Sequence, residues 1–326
     1  MQPELASRSP KPLLLTGRVF WVMNTSDQGY EKFKNEHPAY LDEAGGVIEA
    51  VYNSASAGYA AMTSNQNDLC IFGGHGTHTL TSMLTISKNR CNFMGADGGG
   101  RQTGHGAKLS MGVTTAATDL APVKNTGVRN SFRNIKFMSS NTKAESLYGH
   151  IEAGEFALYE NCSFLKTTDL DQTAAADVVA EGDSTTWRDC EFGAATVLVS
   201  VARATVLVDK IVGTTGMLDN NFIGCNFVKY SSSADALFFK VNATGDGQRY
   251  CSFKGCHFNN WSTAAAGTAI TNAFSAGSGN ELMFNIDATN SFIGCTNVAA
   301  SPNNVGIYVS GAVPTAATSN LAVQAA

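Results

Sequence analysis

The segments YENCSF (159–164), WRDCEF (187–192), FIGCNF (222–227), FKGCHF (253–258) and FIGCT (292–296) repeat one frame. It runs aromatic, any residue, then Asn, Asp or Gly, then Cys, any residue and, in the first four, Phe. FRNIKF (132–137) carries the same frame with Ile135 in the cysteine position. The fourth positions fall at 135, 162, 190, 225, 256 and 295, so they are spaced by 27, 28, 35, 31 and 39 residues. A helical solenoid keeps its period nearly constant, because each repeat is a rigid helix pair. A fixed short β signature with a drifting period describes constant strands joined by loops of different length. That is the arithmetic of a parallel β-helix, whose corners swell without disturbing the stack.

Alternation within the frame sets the facing. In YENCSF, strand parity puts Cys162 and Phe164 inside and leaves Glu160 at a bend before the strand. Asn, Asp or Gly in the third position suits that bend, since these residues tolerate left-handed backbone. With coils about 4.8 Å apart, like residues stack into interior ladders. The expected ladders are Cys162, Cys190, Cys225, Cys256 and Cys295, beside Phe137, Phe164, Phe192, Phe227 and Phe258. The cysteines read as filler for a slot of fixed size, since free Cys behaves as a small hydrophobe. Further β-rich runs lie at 195–212, 235–243, 281–288 and 305–310. Counting from residue 69, roughly eight coils would make a rod of about 40 Å.

Toward the N-terminus, GRVFWVMN (17–24) reads as a strand, and short strands are expected at 69–72, 77–80, 83–86 and 91–94 with glycine turns between. Between them, Val47, Ile48, Val51 and Tyr52 recur at helical spacing. This predicts a short amphipathic helix within 42–56 that caps the open end of the stack. The expected division is an extended arm (1–16, broken by Pro3, Pro10 and Pro12), an N-terminal strand and capping helix (17–66), the β-helix (67–310) and a C-terminal tail (311–326). The arm and tail read as straps, ordered when bound.

Composition fits this class. The 326 residues are 44% hydrophobic but only 15% charged, with a net charge of −5, against about 25% charged in typical domains. No basic cluster marks a nucleic-acid footprint. No apolar run reaches the ~18 residues of a membrane span, and no signal peptide is read at the start. The expectation is synthesis in a cytoplasm, where thiols stay reduced. No CxxC pair suggests zinc.

TGRVFWVMNTSD, a short helical segment, DLCIFGGHGTHTLTSMLTISKNRCNFMGAD and the repeated NIKF, NCSF, DCEF and GCNF strands together resemble the right-handed parallel β-helix proteins of the pectin-lyase-like fold. The likeness is to phage-encoded members with a strand of the VYYV-N-S-T type and a D-x-I-x-x-x-P-G-H turn. Asp68, Leu69, Ile71, Gly74 and His75 stand in that arrangement, with Gly73 where the family often has Pro. The resemblance covers about 17–310. It implies an all-β right-handed parallel β-helix and, by analogy, a virion structural protein that decorates or reinforces a capsid or forms a surface projection. It also implies a homotrimer whose partners are other virion proteins, such as a major capsid protein. The fold hosts lyases, hydrolases and structural parts alike, so it licenses no activity.

The stretch 166–192 is rich in carboxylates: Asp169, Asp171, Asp177, Glu181, Asp183, Asp189 and Glu191. Of these, Asp177, Asp183 and Asp189 are the candidates for a polysaccharide depolymerase, which needs carboxylates about 5–10 Å apart across a sugar groove. The alternative is a solvated corner loop, with no catalytic residue at all. His75 and His78 in GGHGTH suggest a surface metal site, with His105 a conceivable third ligand; a tight glycine turn explains them equally. GADGGGRQTGHG (95–106) lacks the ending of a phosphate loop. No cofactor or metal is expected. The principal reading is a non-enzymatic virion protein. The rivals are a tailspike-like depolymerase and a passive module that binds host-surface glycan.

Overall fold

In the computed structural model, the described residues are 17–26, 29–41, 47–73, 76–96, 107–112, 118–140, 146–168, 172–211, 216–242, 246–261, 268–276, 281–299, 306–309 and 323–324. The arm at 1–16, the Gly-rich loop at 97–106 and most of the tail fall outside them.

Each coil contributes one strand to each of three parallel sheets. A representative coil runs Leu158–Glu160 in the first sheet, Ser163–Lys166 in the second and Val178–Ala180 in the third. The next runs Thr186–Arg188, Glu191–Val199 and Ala204–Val208, each strand beside its counterpart. The three sheets hold twelve, nine and eight strands among the described residues. The molecule is a right-handed parallel β-helix. No helix among the described residues is long and apolar enough to cross a membrane.

The frame forms the corner between the first and second sheets. Its third residue is left-handed in every copy from 134 to 255: Asn134 (φ 56°), Asn161 (50°), Asp189 (52°), Gly224 (63°) and Gly255 (62°). The bend hands its backbone N–H to the following coil, as from Asn161 to the Arg188 carbonyl at 2.9 Å and from Gly224 to the Lys254 carbonyl at 2.9 Å. It also resets the alternation. Strand parity leaves the leading aromatic out of the interior, yet Tyr159, Cys162 and Phe164 are all fully buried. One left-handed residue between two strands flips the facing, so two aromatics per coil point inward.

Two aromatic columns result. Phe93, Phe132, Tyr159, Trp187, Phe222 and Phe253 stack at centroid separations of 5.0, 4.6, 4.3, 5.8 and 5.0 Å. Phe137, Phe164, Phe192, Phe227 and Phe258 stack at 5.2, 5.2, 4.8 and 4.5 Å, and Phe292 extends the column at 4.6 Å. Between them stand Ile135, Cys162, Cys190, Cys225 and Cys256, all buried. Each of these thiols donates to the carbonyl of the leading aromatic one coil earlier: Cys162 to Phe132 at 3.4 Å, Cys190 to Tyr159 at 3.6 Å, Cys225 to Trp187 at 3.3 Å and Cys256 to Phe222 at 3.4 Å.

Cys295 does not join this ladder. Phe292 pairs with Phe258, the second aromatic of its coil, and Cys295 opens a third-sheet strand beside Ile270. FIGCT therefore makes the same left-handed bend, at Gly294 (φ 72°), one corner later. Asn290 takes the place above Cys256, accepting from the Cys256 N–H at 2.7 Å.

The N-terminal elements also correct the expectation. Val47–Tyr52 is a strand, paired in parallel with Val19–Val22 and antiparallel with Tyr40–Leu41. Its β-branched and aromatic residues favour the pleated state, and helical spacing in so short a run does not outweigh that. The helices are α1 (Tyr30–Glu36) and α2 (Ala55–Ala61). Ser54 caps α2, its Oγ accepting from Ala57 N–H at 3.2 Å, as N-cap serines do. Ala55 and Met62 carry that end of the chain into the main core, so α2 closes the stack. Gly58 permits the close approach, since a Cβ there would lie 2.4 Å from Val22 Cγ2.

Candidate functional site

The three candidate carboxylates span two successive coils, and the structure disperses them to three different corners. Asp177 precedes the third-sheet strand. It is buried, accepts from Lys166 N–H at 2.8 Å, and pairs with Arg203 Nη2 at 2.8 Å. Asp183 lies at the corner between the third and first sheets. Burial first, then the Glu155 and Asp219 carboxylates beside it, hold its pKa above the ordinary value. Asp189 is the exposed left-handed residue between the first and second sheets. Of the other acids, Glu181 is buried and accepts from Ile211 N–H at 3.2 Å, while Asp169 and Asp171 lie outside the described residues.

His75 and His105 lie outside the described residues. His78 is buried against Phe72, with ring centroids 5.3 Å apart. No group of three or more His, Cys, Asp or Glu suited to a metal occurs among the described residues. Asp68 is also buried: it ion-pairs with Arg18 at 2.5 Å and accepts from Thr63 N–H at 2.7 Å. A polar network inside the helix joins Tyr159 Oη, which donates to Glu152, and His150 Nε2 at 2.8 Å from the same hydroxyl. Burial, above all, pushes the Tyr159 hydroxyl up and the His150 imidazole down. All three side chains are closed to solvent, so none can meet an external substrate.

The surface with chemical character is the corner where the third sheet passes to the first. Here a second left-handed column runs from Asn65 to Arg249: Asn65 (66°), Arg90 (52°), Arg129 (59°), Phe156 (55°), Ser184 (53°), Asp219 (49°) and Arg249 (58°). In the first five the backbone N–H again reaches the following coil, as from Arg90 to the Val128 carbonyl at 2.9 Å, Arg129 to the Glu155 carbonyl at 2.8 Å and Phe156 to the Asp183 carbonyl at 2.8 Å. Left-handed backbone at non-glycine residues costs about 1–2 kcal/mol each. A bulky residue such as Phe is an outlier there.

A groove of about 320 Å³ opens on this corner, lined by Asn65, Asn89, Arg90, Arg129, Glu155 and Phe156, with Val128. Phe156 is 51% exposed, and the Arg129 guanidinium lies 5.6 Å from its ring centre. Charge changes along the corner, from the two arginines through Glu155, Asp183 and Asp219 to Arg249, which pairs with Asp219 at 3.2 Å. Sequence reasoning missed this site because its residue type varies from coil to coil. The signal was positional: Arg90, Arg129, Phe156, Ser184 and Asp219 each stand three residues before the leading aromatic of a coil.

No family profile and no curated protein matches the chain. The solved structures supply the comparison. The chain is similar to the pectin methylesterase from Aspergillus niger in penultimately deglycosylated form, with a TM-score of 0.53 at 11% identity over 84% of each chain. Here the likeness is one of fold alone. The Dettilon tailspike protein gp208 aligns at TM-score 0.43 and 9% identity, over 74% of this chain and 49% of that one. ORF18 of Geobacillus virus E2 aligns at 0.42 and 11%, over 86% and 61%.

Proposed function

We propose that this chain is a non-enzymatic structural protein of a phage virion, a rigid shaft that decorates or reinforces the capsid or forms another surface projection. In this reading it associates with itself, as a homotrimer, and docks on other virion proteins such as the major capsid protein. One observation carries the non-enzymatic part: Asp177, Asp183 and Asp189 occupy three different corners, with Asp177 tied inside to Arg203. A glycosidase pair must face a common groove, and these acids do not. The phage assignment rests on the sequence resemblance. Incubating purified protein with host-surface polysaccharide and assaying for new reducing ends or unsaturated uronates tests the reading. The expected result is no cleavage; cleavage abolished by Asp183→Asn would replace it with a depolymerase. Imaging intact particles labelled at this chain should place it on the virion surface.

A second reading, a passive glycan-binding surface, is favoured by the exposed Phe156 ring beside Arg129 in the corner groove. An apolar ring face with flanking polar groups suits a sugar ring. Saturable glycan binding lost in Phe156→Ala, without turnover, supports this reading; binding unchanged by that substitution removes it.

A further inference from the structure

The second-sheet strand Glu191–Val199 is interrupted by a bulge. Its register runs from Gly193 against Val228 to Leu198 against Tyr230, so residues 194–197 leave the ladder. Against this break lies a cavity of about 10 Å³, bordered by Lys166, Asp177, Gly193, Arg203 and Lys229. That is the room of about one water-sized particle.

Among the described residues, the polar groups around it are incompletely paired. Arg203 is 1% exposed, and its Nη2 donates to Asp177 Oδ1 at 2.8 Å and to the Lys166 carbonyl at 3.4 Å. Its Nε and Nη1 are buried and meet no acceptor among the described residues. Lys229, 2% exposed, donates from Nζ to the Arg203 carbonyl at 3.0 Å. Lys166 Nζ reaches Ser139 Oγ at 3.3 Å. Among the described residues that border the cavity, Arg203 and Lys229 thus share one carboxylate, that of Asp177. Burial, with Arg203 alongside, pushes Lys229 down to about 7 and Lys166 to about 8. Guanidinium N–H groups cannot shed their charge in this way. Left buried without an acceptor, they are costly.

We propose that this pit binds one small monovalent anion, a halide of the size class of chloride, held by the Nε–H and Nη1–H of Arg203 with the Lys229 ammonium beside it. The anion supplies the missing acceptor and the missing negative charge, and its size matches a pit too small for a carboxylate or phosphate. Bound there, it pins the 194–197 bulge to the coils on either side.

Two measurements test this. In the first, crystals of the unaltered chain grown or soaked in sodium bromide are examined at the bromine absorption edge. An anomalous peak within hydrogen-bond reach of Arg203 is expected; bromide peaks at the surface with none in the pit would overturn the site. In the second, Tm is followed at pH 7 and constant ionic strength while chloride replaces gluconate, which is too large to enter. The unaltered chain should show a saturable rise, and Lys229→Met should need at least tenfold more chloride for half of its rise. Equal Tm in the two salts, or equal chloride dependence in the two proteins, would overturn the proposal. The bromide measurement needs no variant and so stands if Lys229→Met fails to fold.

Discussion

A thiol suits the fourth position of the frame because the slot between two aromatic columns is narrow and its far wall is a backbone carbonyl. Serine would fit but carries a stronger desolvation cost, and valine lacks the donor. Burial raises the pKa of Cys190 and Cys225, and the neighbouring Cys225 thiol, followed by burial, raises that of Cys256. The thiolate is the reactive species. These cysteines should therefore resist alkylation in the native protein and react at once in denaturant, a difference that mass spectrometry of iodoacetamide-treated samples reads directly.

Lys229 gives a second prediction at this scale. An unfolded lysine keeps its proton to about 10.4, whereas folded Lys229 releases it near 7. Between those values the unfolded chain binds the extra proton, so stability rises as pH rises. Below about 7 both states are protonated and the penalty is fully present. Urea midpoints in halide-free buffer should climb from pH 7 to 9.5, and Lys229→Met should flatten much of that slope.

At the scale of elements, the left-handed corner residue decides whether two strands both face inward. Asn161 holds φ 50° and donates from Nδ2 to Asn134 Oδ1 at 2.8 Å. Asn161→Val should cost about 2 kcal/mol, combining left-handed strain with a lost hydrogen bond. Asn161→Gly, which keeps the conformation, should stay within about 1 kcal/mol of the parent. Chemical denaturation of the two variants gives the comparison. The same corner explains what could be read from the sequence. The recurring words exposed the first corner, and hence the stacking axis, the thiol ladder up to Cys256 and the column from Phe137 to Phe258; strand parity left the leading aromatics outside, and only the left-handed bend turns them in. They misplaced Cys295 because aromatic–x–Gly–Cys encodes a bend, and a bend serves any corner; only the Phe258–Phe292 pairing reveals which. Val47–Tyr52 was misread as helix because its pairing with Val19–Val22 is a non-local fact. The groove corner stayed hidden because its constancy is conformational, while Arg90, Arg129 and Phe156 share no chemistry.

At the scale of the whole molecule, each coil touches chiefly its two neighbours, so stability accumulates along one dimension. Coils in the middle, such as those carrying Tyr159 and Trp187, are covered on both sides. Their amides should exchange with solvent most slowly, and those at Tyr40–Leu41, the edge of the first sheet, and Ser291–Ile293 sooner, as hydrogen-exchange mass spectrometry can map. A mid-rod change should consequently split the protection pattern into two blocks.

A stack of parallel strands has a polarity, and its lower face would welcome the upper face of another copy. At the N-terminal edge of the first sheet the chain turns about and lays down Tyr40–Leu41 in the opposite direction, over only two residues. An incoming strand of the wrong sense and a foothold this short offer poor purchase for continued growth. The reversal thus acts as a terminus marker: it closes the N-terminal edge of the first sheet to a parallel strand from another copy.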